Sequence, residues 1–213
     1  MNLIIYLVPL ICIIFGTMYF YNSQPYIEMM LCQPIPRSSL FIGLYFGISI
    51  PLVLSFFAGL FLPFLFFADF LSQINLFFIL LLILILLTLT FVAIAFCIYT
   101  IINDRVKGLS LSIIIWLILS LAFDGILLLT SFIFFEYPVE KILIGLTVLN
   151  PVNLARTIFV LNFEASALMG ITGAVFKKFF GSSLGTLVSL FSMFLWILLT
   201  FLFGLIRFKR KDF

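Results

Sequence analysis

Residues 76–102 read LFFILLLILILLTLTFVAIAFCIYTII and carry no charged side chain. A helix needs roughly 20 consecutive apolar residues to cross the hydrocarbon of a bilayer, and this stretch is longer than that. It is also far longer than the strands of a membrane β-barrel, which need only about 9–11 residues. The stretch therefore predicts a membrane-spanning helix and an all-α fold.

The composition of the whole chain agrees with this interpretation. Its 213 residues are 65% hydrophobic and only 9% charged, and the mean hydropathy is +1.41. A soluble domain cannot bury that much apolar surface. We interpret residues 1–213 as one all-α domain of a polytopic membrane protein that lies in a lipid bilayer. Its five predicted spans are approximately residues 3–20, 40–68, 76–102, 110–135 and 184–206.

The segment before the last span, residues 136–183, is too polar and too broken to cross a membrane. The pair Asn150-Pro151 predicts a helix N-cap followed by a first-turn proline, so PVNLARTIFVL should form a short helix. The stretch EASALMGITGAVFKKF, residues 164–179, predicts another. We expect these helices to lie against one membrane face or to dip into it.

The distribution of positive charge predicts the orientation. Four cations follow the last span directly, and the positive-inside rule places them in the cytoplasm; they are Arg207, Lys209, Arg210 and Lys211. Alternating the spans backwards then puts residues 22–39 inside, residues 136–183 outside and Met1 outside. Nothing in the sequence drives export of an uncharged N-terminus, so we expect one further span upstream.

Several kinds of chemistry find no support in the residues. The chain has no histidine, and its three cysteines, Cys12, Cys32 and Cys97, are scattered. It has no G-x-x-x-x-G-K-[ST] loop for ATP. The formal charge of +3 gives no indication of nucleic-acid binding. The sequence thus predicts a protein that is not an enzyme and binds no metal or cofactor itself.

Residues 22–39 form an unusually long polar connection between two spans. Pro25 can open a short helix, and Pro34 and Pro36 must end it. A cytoplasmic helix this apolar must bury itself against membrane or protein. It is either an interfacial helix at the headgroups or a coupling helix seated on a cytoplasmic partner. Its candidate contact residues are Tyr26, Glu28, Met29, Met30 and Arg37.

Two stretches resemble a known family. YIEMMLCQPIPRSSLFIGLYFG, residues 26–47, resembles the first cytoplasmic loop of ABC-2 type exporter permeases. LNPVNLARTIFVL, followed by SALMGITGAVFKKFFG, resembles the outer link of NosY-type permeases, which serve the maturation of nitrous oxide reductase. The resemblance covers essentially the whole chain. Members typically have six spans, whereas this chain begins where the second would, in agreement with the span expected upstream.

The resemblance implies a bacterial inner-membrane homodimer bound to two cytoplasmic ABC ATPase subunits, NosF-like, which would hold ATP and magnesium. It also implies a periplasmic β-helix partner, NosD-like. The implied function is to couple ATP hydrolysis to periplasmic maturation of the copper centres of nitrous oxide reductase. Two alternatives are an ABC-2 exporter of a lipid, drug or polysaccharide, and a membrane anchor that transports nothing.

Asp124 is the one charge deep within a predicted span. A lone carboxylate in lipid costs at least ~3 kcal/mol on insertion scales. We therefore expect Asp124 to be protonated or to face a partner, water or a dimer axis. A structural hydrogen bond and a role in a transport pathway both stay open.

Three further groups of residues have two interpretations each. Gly43, Gly47 and Gly59 lie on a small-residue stripe that permits close helix packing, either within the subunit or at a dimer seam. Met29, Met30 and Cys32 could bind Cu(I), although methionine in an apolar helix ordinarily fills space. Residues 136–183, on the predicted outer side, would contact the periplasmic partner or face lipid headgroups. The candidate contact residues there are Asn150, Pro151, Arg156, Glu164 and Lys177.

Overall fold

A computed structural model describes residues 2–67, 74–133, 140–162 and 183–211. Within those ranges the regular elements are all helical and no strand is present. Five helical segments of the described chain are long and apolar enough to cross a membrane. The prediction of an all-α, five-span membrane protein is confirmed.

Where the structure describes the connections between helices, they are short. A π-helical turn at Ile118–Ala122 joins the two halves of the fourth span. The bounds are α1 Asn2–Asn22, α2 Gln24–Leu31, α3 Arg37–Phe67, α4 Ile74–Ile101, α5 Arg105–Leu117, α6 Phe123–Ile133, α7 Glu140–Leu149, α8 Pro151–Asn162 and α9 Ser183–Arg210.

The second span begins earlier than the sequence predicts, at Arg37 instead of residue 40. The backbone N–H groups of Ser39 and Leu40 donate to the carbonyl of Pro36 at 3.0 and 3.3 Å. Pro36 therefore acts as the point where the helix starts, because its own missing N–H is not needed there.

The central helix is α4, which packs against α1, α3, α8 and α9. It is apolar on all sides, as expected for a helix enclosed by others. At its centre the ring of Phe96 lies edge-on to Phe20 of α1 at 4.1 Å and to Phe41 of α3 at 4.2 Å. This aromatic cluster fixes three spans against one another.

Close backbone approaches hold α1 against its neighbours. A Cβ added at Gly16 would lie 2.9 Å from the Cβ of Ala95, and one added at Gly108 would overlap the ring of Tyr21. The hydroxyls of Thr17 and Ser112 are 2.8 Å apart across the same α1–α5 contact. A larger residue at Gly16 would separate α1 from α4, and one at Gly108 would separate α5 from α1.

The helices α7 and α8 form a sharply bent pair, with 114° between them. Pro151 begins α8, and the side-chain oxygen of Asn150 accepts from the N–H of Val152 at 3.0 Å. The predicted N-cap and first-turn proline are confirmed. Instead of lying on the surface, α8 is mostly buried and packs against α1, α4 and α9. The helix predicted at 164–179 lies outside the described residues.

Candidate functional site

The short helix α2 follows α1 with almost no interruption. The N–H of Ser23 donates to the carbonyl of Tyr19, and that of Ile27 to the carbonyl of Ser23, both at 2.9 Å. These are i to i−4 bonds, so helical hydrogen bonding continues through the junction. The two helices are therefore connected stiffly, and a displacement of α2 acts directly on α1.

One side of α2 is anchored and the other is open. Ile27 is completely buried against the bundle, whereas 49% of Tyr26 and 57% of Met29 are exposed. The exposed Glu28 accepts a hydrogen bond from the side chain of Gln24 at 3.0 Å. The outward side thus combines an aromatic ring, a thioether and a carboxylate, a mixture suited to binding another protein.

Arg37 ties the end of the α2 connection to the last helix. Its Nη1 donates to the backbone carbonyls of Lys209 and Lys211, both at 2.9 Å. The last carbonyls of a helix have no partner within the helix, so a cation here both satisfies them and opposes the helix dipole. Arg37 is therefore the C-terminal cap of α9.

Lys211 adds a second connection at this end. Its Nζ donates to the carbonyl of Tyr99 at 2.7 Å and lies 4.1 Å from the centre of that ring. Burial lowers the pKa of Lys211 from its ordinary value. Together with the bond from the hydroxyl of Tyr21 to the carbonyl of Ile102, these contacts join α1, α3, α4 and α9 beside α2.

An ionic cluster lies at the opposite end of α1. The carboxylate of Asp124 accepts from the hydroxyl of Tyr6 at 2.6 Å and from Nη1 of Arg156 at 2.7 Å. The same Nη1 donates to the Tyr6 hydroxyl at 2.8 Å. Three elements, α1, α6 and α8, meet in this cluster.

Asp124 lies inside the fourth span, which runs from Arg105 to Ile133. At roughly 1.5 Å per residue it is about 14 Å from the end of that span at Ile133. The expectation that Asp124 faces a partner agrees with its bonds to Tyr6 and Arg156.

The π-helical turn next to the cluster is bonded to Asn150, and Trp116 just before the turn is bonded to α1. The amide of Asn150 donates to the carbonyl of Leu119 within the turn, and the indole of Trp116 donates to the carbonyl of Tyr6 at 3.1 Å. Wide turns of this kind free backbone carbonyls and are frequent at functional positions. The bent pair α7–α8 is thus bonded to the π-helical turn through Asn150 and to α6 through Arg156.

A family model described as ABC-2 family transporter protein matches residues 2–213. The chain belongs to the ABC-2 transporter family. Membership implies that it is the permease subunit of an ABC transporter, with an ABC ATPase as its partner. The permease matches none of the curated proteins.

The predicted coupling residues of the permease are only partly directed outward. Tyr26, Glu28 and Met29 are exposed. Met30 is partly buried and packs against the hydrophobic core, so it supports α2 from within. Arg37 is exposed, but it also caps α9. Any contact of these residues with an ATPase stays a prediction.

The residues predicted to contact a periplasmic partner differ from one another in burial. Asn150 and Pro151 are buried, so their side chains present no surface to a periplasmic partner in this conformation. Arg156 points into the cluster with Asp124, although about a third of its side chain stays exposed. Glu164 and Lys177 lie outside the described residues.

The glycine stripe of α3 does not pack within the subunit along its length. A Cβ at Gly43 or Gly59 would meet no described atom within 4 Å, and one at Gly47 would meet only the Tyr19 hydroxyl, at 3.3 Å. Among the residues that the structure describes, nothing covers Gly43 or Gly59, and only Gly47 packs within the subunit. A dimer seam stays a prediction.

The sequence did not identify Tyr6 as part of the permease's ionic cluster, or Trp116 as a donor to the Tyr6 backbone beside it. Both lie in apolar stretches, where an aromatic residue usually signals only burial or a position near the membrane surface. The available hint was Asp124 itself, because a carboxylate in a span requires a donor from another helix.

The described part of the permease brings together no group of three or more metal-binding histidine, cysteine or acidic side chains. The thiol of Cys32 lies 3.5 Å from the carbonyl of Glu28 on its own helix. Copper binding by Met29, Met30 and Cys32 therefore stays a prediction. The contacts at both ends of α1, in contrast, are suited to transmitting movement.

Proposed function

We propose that this permease receives its ATPase on α2, and that the complex serves periplasmic maturation of the copper centres of nitrous oxide reductase. The main observation that supports this proposal is the exposed side of α2. Tyr26, Glu28 and Met29 are exposed there, while the buried Ile27 anchors the helix to the bundle. The basic residues at the end of α9 lie at the same end of the bundle, which the positive-inside rule assigns to the cytoplasm.

The contacts support a mechanical route through the membrane. A NosF-like ATPase would bind ATP and magnesium, and its closing would displace α2. Because α2 continues into α1, the displacement reaches Tyr6 about 24 Å away, at roughly 1.5 Å per residue. There the cluster passes it to Asp124 on α6 and Arg156 on α8. Arg37 delivers the same displacement to α9.

The finer assignment rests on the resemblance of residues 149–161 and 166–181 to NosY-type permeases, while residues 26–47 resemble ABC-2 exporter permeases in general. On this proposal the permease is a homodimer in the bacterial inner membrane, and its far end acts on a NosD-like β-helix protein. In a strain lacking its own maturation permease, the chain with its ATPase should restore copper-loaded reductase. Failure with a correctly assembled ATPase complex would instead indicate an exporter of another substrate.

Docking on α2 is tested by the double variant Tyr26→Ala/Met29→Ala. We expect the amount of ATPase that co-purifies to fall about tenfold or more, because methionine is enriched in protein interfaces and tyrosine often contributes much of their binding energy. The matched control is Val106→Ala, since Val106 is 72% exposed at the same end of the bundle but outside α2. Equal retention by the double variant and the wild type would refute the docking site.

A further inference from the structure

An apolar groove opens between α3, α4 and α9 on the side of the bundle. Its volume is about 250 Å³, and its wall exposes no polar surface. The wall residues used below are Tyr45 and Phe46 of α3, Leu89 of α4, and Phe194, Leu198 and Phe201 of α9. The hydroxyl of Tyr45 donates to the carbonyl of Leu89 at 2.9 Å, so this phenol presents only its ring to the groove.

The groove lies at hydrocarbon depth, near the α2 end. All three of its helices are long and apolar enough to span a membrane. At roughly 1.5 Å per residue, Tyr45 is about 12 Å from Arg37 and Phe201 is about 14 Å from Arg210. An occupant must therefore be apolar here, and one that extended about 12 Å along the bundle would reach the headgroup region.

The seam below the groove is positively charged. Arg37 joins the start of α3 to the end of α9, where Lys209 and Arg210 are exposed. Neither α3 nor α9 contains an acidic residue within its described bounds, and these cations form no ion pair with a described carboxylate. Their charge is complementary to a phosphate group.

We infer that the groove binds one acyl chain of an anionic phospholipid whose headgroup phosphate lies near Arg37 and Lys209. The volume, just below the usual range of about 300–1,000 Å³ for ligand pockets, accommodates part of a chain better than a bulky ligand. Because the acyl chain moves from bilayer hydrocarbon into an apolar groove, its binding depends on how well it packs there, and the cations supply the attraction for an anionic headgroup. The inference depends on membrane insertion and is independent of ATPase docking.

The unchanged chain provides the first test. It is purified with limiting amounts of phosphatidylglycerol bearing a diazirine in one acyl chain, illuminated and analysed by peptide mass spectrometry. We expect adducts to concentrate on the segments that contain Tyr45, Phe46 and residues 194–201. Adducts spread evenly over the exposed spans would overturn the inference, as would capture of this groove by a second copy of the chain.

Matched variants provide the second test. Leu198→Trp fills the groove and should reduce adduct formation about tenfold. Leu199→Trp is the control, because Leu199 is 55% exposed on the same helix and does not line the groove. Lys209→Gln should lower the preference for phosphatidylglycerol over phosphatidylcholine about fivefold. Equal labelling of the two tryptophan variants, or an unchanged lipid preference in Lys209→Gln, would overturn the site.

Discussion

Asp124 is bound by two donors of different kinds, the neutral hydroxyl of Tyr6 and the charged guanidinium of Arg156. A carboxylate that accepts both bonds avoids most of the cost of an isolated charge in hydrocarbon. Arg156 also lies 5.9 Å from the centre of the Tyr6 ring, so its charge is attracted by two neighbours. Each member of the cluster thereby lowers the free-energy cost of placing the other two within the membrane.

The variant Asp124→Asn tests this mutual dependence. It leaves Arg156 without a counter-charge, so we expect the free energy of unfolding in detergent to fall by about 2 kcal/mol. This is less than the about 3–5 kcal/mol for fully buried pairs, because both side chains keep some exposure. The double variant Asp124→Asn/Arg156→Gln should recover part of the loss.

The control for this comparison is Glu28→Gln, which removes an exposed carboxylate on α2 and should change stability by no more than about 0.5 kcal/mol. The single variants Asp124→Asn and Arg156→Gln are measured alongside. If the double variant loses as much free energy of unfolding as the two single variants together, the side chains act independently and the cluster is not a unit.

Helix packing depends on where a glycine sits, and the chain offers a direct comparison. Gly108→Ala should lower the free energy of unfolding by about 1–3 kcal/mol, because the new methyl group overlaps Tyr21 and pushes α5 away from α1. Gly43→Ala is the matched control, since its methyl group meets no described atom and a helical alanine is favoured by about 0.5–1 kcal/mol. Thermal unfolding in detergent would measure both, and an equal loss in the two variants would contradict the packing.

The helices were predictable from the sequence where the signals are local. The apolar run of α4 is continuous in the sequence, and Asn150 and Pro151 are adjacent. Both predictions, a spanning helix and a helix start at Pro151, are confirmed. The cluster was not predictable, because Tyr6 and Asp124 are separated by 118 positions. Arg156 has the same charge whether it faces water or Asp124, so its sequence neighbours do not reveal its direction. The burial of α8 depends on tertiary contacts in the same way.

The orientation of the whole permease follows from one measurement on the unaltered chain. Cys32 is exposed, whereas Cys12 and Cys97 are buried, so a membrane-impermeant maleimide should modify Cys32 selectively. In sealed vesicles we expect modification only when the reagent reaches the cytoplasmic face. Denaturation should then release the other two thiols as an internal control. Modification from the opposite face alone would place α2 outside and remove the basis for ATPase docking.

The bonds from Arg37 to the carbonyls of Lys209 and Lys211 also impose an order on biosynthesis. Arg37 leaves the ribosome 172 and 174 residues before its two acceptors. A nascent chain therefore cannot form the bonds that hold the junction between α2 and α3 until the end of α9 has been synthesised. Incomplete permeases would carry a poorly positioned α2, which disfavours premature recruitment of the ATPase.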